Sequence, residues 1–197
     1  MPPVTGVLLG TNIAVFLLQL AGGLPLVENF ALWPPAVSGP RGGPPFEVWQ
    51  LLSYSFLHGS MLHLGFNMLA LYTFGRDVER LFGSLWFGQY YVASVIAAAL
   101  THLVVSAWMG AAPFPTVGAS GGIYGLLLAY GIYFPRRTVI LLFPPIPLPA
   151  RVFVVLFAAL EMYFGVTGTV SGVAHFAHLG GMLGGWLMIR SRRRRRG

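Results

Sequence analysis

The sequence predicts an all-α membrane protein, a bundle of six apolar helices with both termini on the cytoplasmic side. Three observations predict it. Charged residues make up only 9% of the 197-residue chain and hydrophobic ones 56%, where a soluble domain carries about 25% charge. Apolar runs recur that approach the roughly 20 residues, at 1.5 Å each, needed to cross a hydrocarbon layer. Arginine, finally, is distributed as the positive-inside rule asks of six spans.

The first apolar segment covers about residues 4–21. It has no basic leading region and no A-x-A site follows closely, so it reads as a span and not as a cleaved signal. Residues 22–60 are rich in Pro and Gly and carry Trp33, Phe46, Trp49 and Phe56. Tryptophan favours the headgroup level, so this outer loop is expected to be partly embedded in the membrane. The remaining segments lie at about 61–75, 86–108, 118–134, 152–168 and 172–189.

All twelve basic residues are arginine. Arg76 and Arg80 are expected to flank a loop after the second segment, and Arg136, Arg137 and Arg151 a loop after the fourth. Arg190 and Arg192 to Arg196 follow the sixth. With N-in, C-in topology all of these share one side, and only Arg41 lies outside. The basic cytoplasmic tail, 190–197, reads as a topology anchor that also attracts anionic membrane lipids; no nucleic-acid surface is expected. There is no cysteine, which excludes disulfides, thiolate metal sites and a cysteine nucleophile. Without an internal repeat or a charge-rich soluble part, residues 1–197 read as a single membrane domain.

Ionisable groups inside a bilayer are expensive and mark functional candidates. The spans hold His63 and Asn67, His102, Glu161, and His175 and His178. Ser120 becomes a candidate through its surroundings, "VGASGGIYG" at 117–125. At a helix N-terminus, unpaired N–H groups and the positive dipole end stabilise an oxyanion. Gly118, Gly121 and Gly122 permit close approach, and Gly121 with Gly125 forms a small-xxx-small pair. In "AHLGGMLGG", Gly181 and Gly185 stand three and seven residues after His178, on the stripe that His178 shares. Serine and histidine brought together by glycine faces make a nucleophile and its general base.

Depth is compatible: Ser120 lies about 23 Å above Arg136 and His178 about 18 Å above Arg190 at 1.5 Å per residue. His63 and Asn67, four apart, face the same way. Asn67 can donate two hydrogen bonds without ionising, which suits an oxyanion hole. His58 is expected to stabilise the loop end. His102 and Glu161 are expected to be structural, with Glu161 a possible contributor to lateral access between helices. No carboxylate is evident beside His178, so the pair is expected to work without a third acid. No metal or organic cofactor is expected.

Other hydrolytic designs fit less well. "GASGG" matches the nucleophile elbow of soluble α/β hydrolases, which needs a preceding strand; here "AAPFPT" precedes it. No histidine is followed by glutamate, against an H-E-x-x-H metalloprotease. Asp77 is the only aspartate, against an aspartyl pair.

With these motifs in view the sequence resembles the rhomboid intramembrane serine proteases. The carrying stretches are "HGSMLHLGFN" at 58–67, "GASG" at 118–121 followed by "IYG", and "AHLGG" at 177–181, with "EVWQLLSYSFLH" at 47–58. They occur in the family's order and span nearly the whole chain. The resemblance implies a six-helix rhomboid-like bundle with a membrane-embedded first outer loop. It implies a serine endopeptidase acting in or near the transmembrane segments of membrane-protein substrates. Ser120 would be the nucleophile and His178 the base, with Asn67, His63 and the Ser120 backbone N–H on the oxyanion. Tyr124 would pack on the His178 ring.

Gln50 follows Trp49 where the family commonly has arginine, and Val173 stands where it often has glycine, with Gly172 one place earlier. His175 also follows an alanine, but only His178 has glycine at +3 and +7. The rival within the resemblance is an inactive rhomboid-like protein that binds membrane clients; such proteins typically lack the serine or the histidine, and both are present. The expected location is a bacterial or archaeal cell membrane, as a multi-pass protein.

Overall fold

A computed structural model describes residues 1–22, 24–35, 43–109, 115–141, 144–168 and 174–194. Helix α1 (Pro3–Ala21) starts at a proline, whose fixed φ and missing N–H suit a first turn, and stops at Gly22 with φ 71°. Its next two N–H groups have no partner within the helix. Glu79 supplies one: its carboxylate accepts from Val4 N (3.0 Å), Thr5 N (2.7 Å) and Thr5 Oγ1 (2.6 Å), and from Ser84 Oγ (2.7 Å).

The described part of the loop between 22 and 60 is built and not a linker. It holds two short helices, α2 (Leu26–Phe30) and α3 (Gln50–Ser53), the second running into a 3-10 turn at Tyr54–Phe56. Gln50 is buried; its side chain accepts from Trp33 N (3.2 Å) and donates to the Pro45 carbonyl (3.3 Å). The hydrogen-bonding position that follows Trp49 is thus occupied by glutamine. Trp49 Nε1 donates to the Asn29 carbonyl (3.0 Å) and tethers the two ends of the loop. Leu32 and Thr116 exchange both backbone hydrogen bonds at 3.0 Å, and Gly118 N donates to the Tyr54 carbonyl (3.0 Å). These bonds tie the loop to the stretch that leads into Ser120.

The second segment is longer than its apolar run. Helix α4 (Met61–Ala70), capped by Ser60 accepting from His63 N at 3.1 Å, passes through a π turn at Leu71–Gly75 into α5 (Arg76–Phe82). Arg76 and Arg80 therefore stand on a helix and do not flank a loop. Arg80 pairs with Asp77 at 3.5 Å, and Arg137 pairs with the same carboxylate. The turn is Gly83 alone, at φ 79°, and α6 (Ser84–Met109) follows at once.

Helix α7 (Ser120–Tyr133) is only 14 residues, about 21 Å at 1.5 Å per residue. Buried on most sides, it is the inner helix of the bundle, as an element apolar all round should be. A two-stranded antiparallel hairpin, β1 (Thr138–Ile140) on β2 (Pro147–Pro149), joins it to α8 (Ala150–Thr167). The hairpin departs from the all-α expectation. Helix α9 (His175–Arg194) continues through Arg190 and Arg192 to Arg194, so that part of the basic tail is helical. Arg41, Gly172, Val173, Arg195 and Arg196 lie outside the described residues.

The core lies where α6, α7 and α9 meet, around Tyr90, Tyr91, Val95 and Leu126. Two of the buried hydroxyls find carbonyls: Tyr54 donates to Val95 (2.9 Å) and Tyr90 to Gly125 (2.7 Å). Outside, the surface inverts the soluble pattern, with Val7, Leu17, Val104, Trp108, Val155 and Val166 exposed. Among the described residues α1, α6 and α8 are each long and apolar enough to cross a membrane by themselves.

Candidate active site

Ser120 is the first residue of α7, preceded by Ala119 as cap. The first-turn N–H groups at this end have no acceptor within the helix. Gly118 makes the approach possible. Its φ is +124°, and a Cβ there would stand 2.8 Å from Cε1 and Nε2 of His63, so both conformation and space require glycine. Across the gap, His178 Nε2 lies 2.7 Å from Ser120 Oγ. The pair sits on the wall of a cavity of about 1040 Å³, which runs between α4, α7 and α8 and is also lined by His63, Asn67 and Tyr124.

The His178 ring is held from two sides. Tyr124 stacks on it, centroids 4.3 Å apart and planes 4° from parallel. Glu161, from α8, brings Oε1 to 2.9 Å from His178 Nδ1, at hydrogen-bond length though not aligned with the ring N–H. The same oxygen accepts from the Tyr124 hydroxyl, and Oε2 lies 2.6 Å from His175 Nδ1. This corrects the expectation that no carboxylate stands beside His178. It also separates the two histidines: His175 turns to Glu161 and the Phe164 ring, while His178 reaches Ser120.

Asn67 is buried at the cavity wall, and one of its two amide hydrogens is used on the His63 carbonyl (2.9 Å). His63 packs edge-on against His58, with centroids 5.1 Å apart, and its Nδ1 accepts a long bond of 3.5 Å from Gly59 N. His58 is buried as well, its backbone N–H and carbonyl both bonded to the Gln19 side chain, which agrees with a role in holding the loop end. Among the described residues no group of three His, Asp or Glu is arranged to hold a metal ion.

A family model for the rhomboid domain matches residues 45–195. This chain belongs to the rhomboid family. It is 33% identical over 142 residues to rhomboid protease GluP of Bacillus subtilis, covering 71% of this chain and 25% of that protein. To rhomboid protease GlpG of Klebsiella pneumoniae it is 32% identical over 186 residues, covering 87% and 61%. To RHOMBOID-like protein 4 of Arabidopsis thaliana it is 32% identical over 155 residues, covering 72% and 33%. The chain thus spans a quarter to about three-fifths of the length of these relatives. Family and apolar helices together make it an integral membrane protein. Because the relatives come from bacteria and eukaryotes alike, they do not carry the expectation of a bacterial or archaeal membrane.

The rhomboid glycines divide their work between two interfaces. A Cβ on Gly181 would overlap the Gly121 carbonyl, and one on Gly121 would press on Ala98 of α6 and the Tyr54 hydroxyl. Gly181 and Gly121 are therefore the direct contact between α9 and α7. Gly185 differs from expectation: it faces the Tyr90 hydroxyl and Ser94 of α6, so it seats α9 on α6. Gly125 likewise lies against Ser94, with the Gly181 carbonyl also close. Sequence reasoning missed how Glu161 is used. Its signal was present, as an acid in an apolar helix, but its partners depend on how α8 is rotated.

Proposed function

We propose that this chain is an intramembrane serine endopeptidase that cleaves peptide bonds in or near the transmembrane segments of membrane-protein substrates. The observation that carries the reading is the 2.7 Å approach of His178 Nε2 to Ser120 Oγ at the wall of a large cavity. The six helical segments would each span the membrane, N-in and C-in, with the outer loop seated at its surface. A substrate segment would reach Ser120 through the cavity between α4 and α8, past Phe66, Phe153 and Phe157.

Ser120 Oγ attacks the scissile carbonyl carbon while His178 Nε2 takes its proton. The oxyanion forms against the free N–H groups at the start of α7 and the second amide hydrogen of Asn67. The long bond from Gly59 to His63 Nδ1 favours the tautomer with its proton on Nε2, a further donor on that side. His178 then gives its proton to the leaving amine, leaving an ester on Ser120. Water, deprotonated by His178, hydrolyses the ester and restores both groups.

The test is cleavage of a single-span membrane protein by the purified chain in lipid vesicles, beside Ser120→Ala and His178→Ala. Cleavage by the parent and loss in both variants supports the reading. A folded parent that binds such substrates without cleaving them rejects it in favour of an inactive, client-binding rhomboid.

A further inference from the structure

Glu161 is the only acidic residue within the six apolar segments. A carboxylate buried there is costly unless its lone pairs are used. Glu161 Oε1 accepts from the Tyr124 hydroxyl, Oε2 lies 2.6 Å from His175 Nδ1, and Oε1 also stands 2.9 Å from His178 Nδ1, off the line of the ring N–H. The three partners come from α7 and α9, the helices that carry Ser120 and His178.

A neutral imidazole has one N–H, and only the nitrogen without it can accept a proton. For His178 to take the Ser120 proton on Nε2, its own proton must sit on Nδ1. A carboxylate accepts and cannot donate, so Oε1 at 2.9 Å from Nδ1 favours that tautomer over the other. Once Nε2 is protonated, the same oxygen faces the positive ring in a site of low dielectric, where the attraction is stronger than in water. Tyr124 fixes the parts to one another, with its ring on His178 and its hydroxyl on Glu161. The off-line approach of Glu161 to Nδ1 is what a resting site often shows before substrate tightens it.

We propose that Glu161 is a positioning residue for the Ser120–His178 pair: a carboxylate on α8 that holds the His178 proton on Nδ1 and receives the imidazolium during turnover. This rests on the hydrolytic reading above. It makes the seat of α8, the helix flanking the cavity, part of the alignment of the base. The competing account is that Glu161 only clamps α8 to α7 and α9.

The decisive measurement does not need hydrolysis. In Ser120→Ala protein in detergent, 15N NMR of the His178 ring should show the Nδ1–H tautomer, and Glu161→Gln in the same background should shift it toward Nε2–H. An Nε2–H ring with Glu161 intact, or one tautomer with and without the carboxylate, overturns the proposal. If Glu161→Gln does not fold, the spectrum of Ser120→Ala alone decides.

In active protein, Glu161→Gln should lower kcat about 10- to 100-fold, less than the full effect of a general base, with KM unchanged and Glu161→Asp restoring part of the loss. Parental kcat per folded molecule would also overturn it. If the parent shows no Ser120-dependent cleavage, the proposed function fails by itself, and the tautomer still answers for Glu161.

Discussion

Gly181→Ala is the substitution whose cost can be worked most directly from the helix contact. A Cβ at Gly181 would stand 2.8 Å from the Gly121 carbonyl carbon and 3.2 Å from its Cα. Non-bonded carbons rest at about 3.5–4.0 Å, and the obstacle is backbone, which cannot rotate aside. Helices α7 and α9 must therefore part by about 1 Å. Ser120 adjoins Gly121, and His178 lies one turn before Gly181, so the separation falls on the 2.7 Å Ser–His bond and takes it past the usual limit of about 3.2 Å. A misplacement of about 1 Å costs on the order of 100-fold in rate, and overpacking of this kind costs about 1–3 kcal/mol of stability. The assay is the rate of fluorophosphonate labelling beside thermal unfolding in the same detergent. Gly10→Ala is the control: mid-helix in α1 with nothing within 4 Å of the added carbon, it should leave labelling unchanged and gain about 0.5–1 kcal/mol. Labelling of Gly181→Ala at the parental rate would refute the reasoning, because α7 and α9 would then not be held apart by that carbon.

Asn67→Ala should lower kcat by about 10²–10³-fold, the effect of losing one oxyanion donor, with KM little changed; normal acylation and deacylation in single-turnover kinetics would remove Asn67 from the role. Glu79 is buried, which alone would raise its pKa, but hydrogen bonds from Thr5, Ser84 and the Val4 backbone hold it below the ordinary glutamate value. Its contribution to stability is therefore full above the unfolded-state pKa of about 4.3 and lost as pH falls through the lower folded-state value. Acid unfolding monitored by helicity should show this loss, and Glu79→Gln should be less stable at neutral pH and lack that part of the acid transition. Gln50→Ala removes two loop hydrogen bonds at about 1 kcal/mol each. It should lower the unfolding temperature while the rate of Ser120 labelling stays parental; a large loss of labelling would mean that the loop also shapes the site.

Much of the arrangement was legible because membrane sequences are written in long apolar runs. Each of the six segments overlaps a helix, and the glycines at 118, 121 and 181 pointed to the two helix ends that carry Ser120 and His178. What stayed illegible has physical causes. The second helix runs on through Arg76 and Arg80, where Asp77 pairs with both Arg80 and Arg137, so the end of hydropathy was not the end of the helix. The hairpin at 138–149 was hidden because proline, which cannot donate to a ladder, usually argues against a strand; here two prolines end an edge pair. Glu161 and Gln50 were seen as polar residues, but their use depends on helix rotation and loop closure, which no spacing in the sequence encodes.

The central claim is that Ser120 is a nucleophile activated by His178, and covalent labelling tests it most directly. The purified chain is treated with a fluorophosphonate and the modified peptide is mapped by mass spectrometry. The account predicts one adduct, on Ser120, that disappears in Ser120→Ala and forms more slowly by about a hundredfold or more in His178→Ala, the lower range for loss of a general base. A folded protein left unlabelled, labelled on another residue, or labelled equally well without His178 would contradict it.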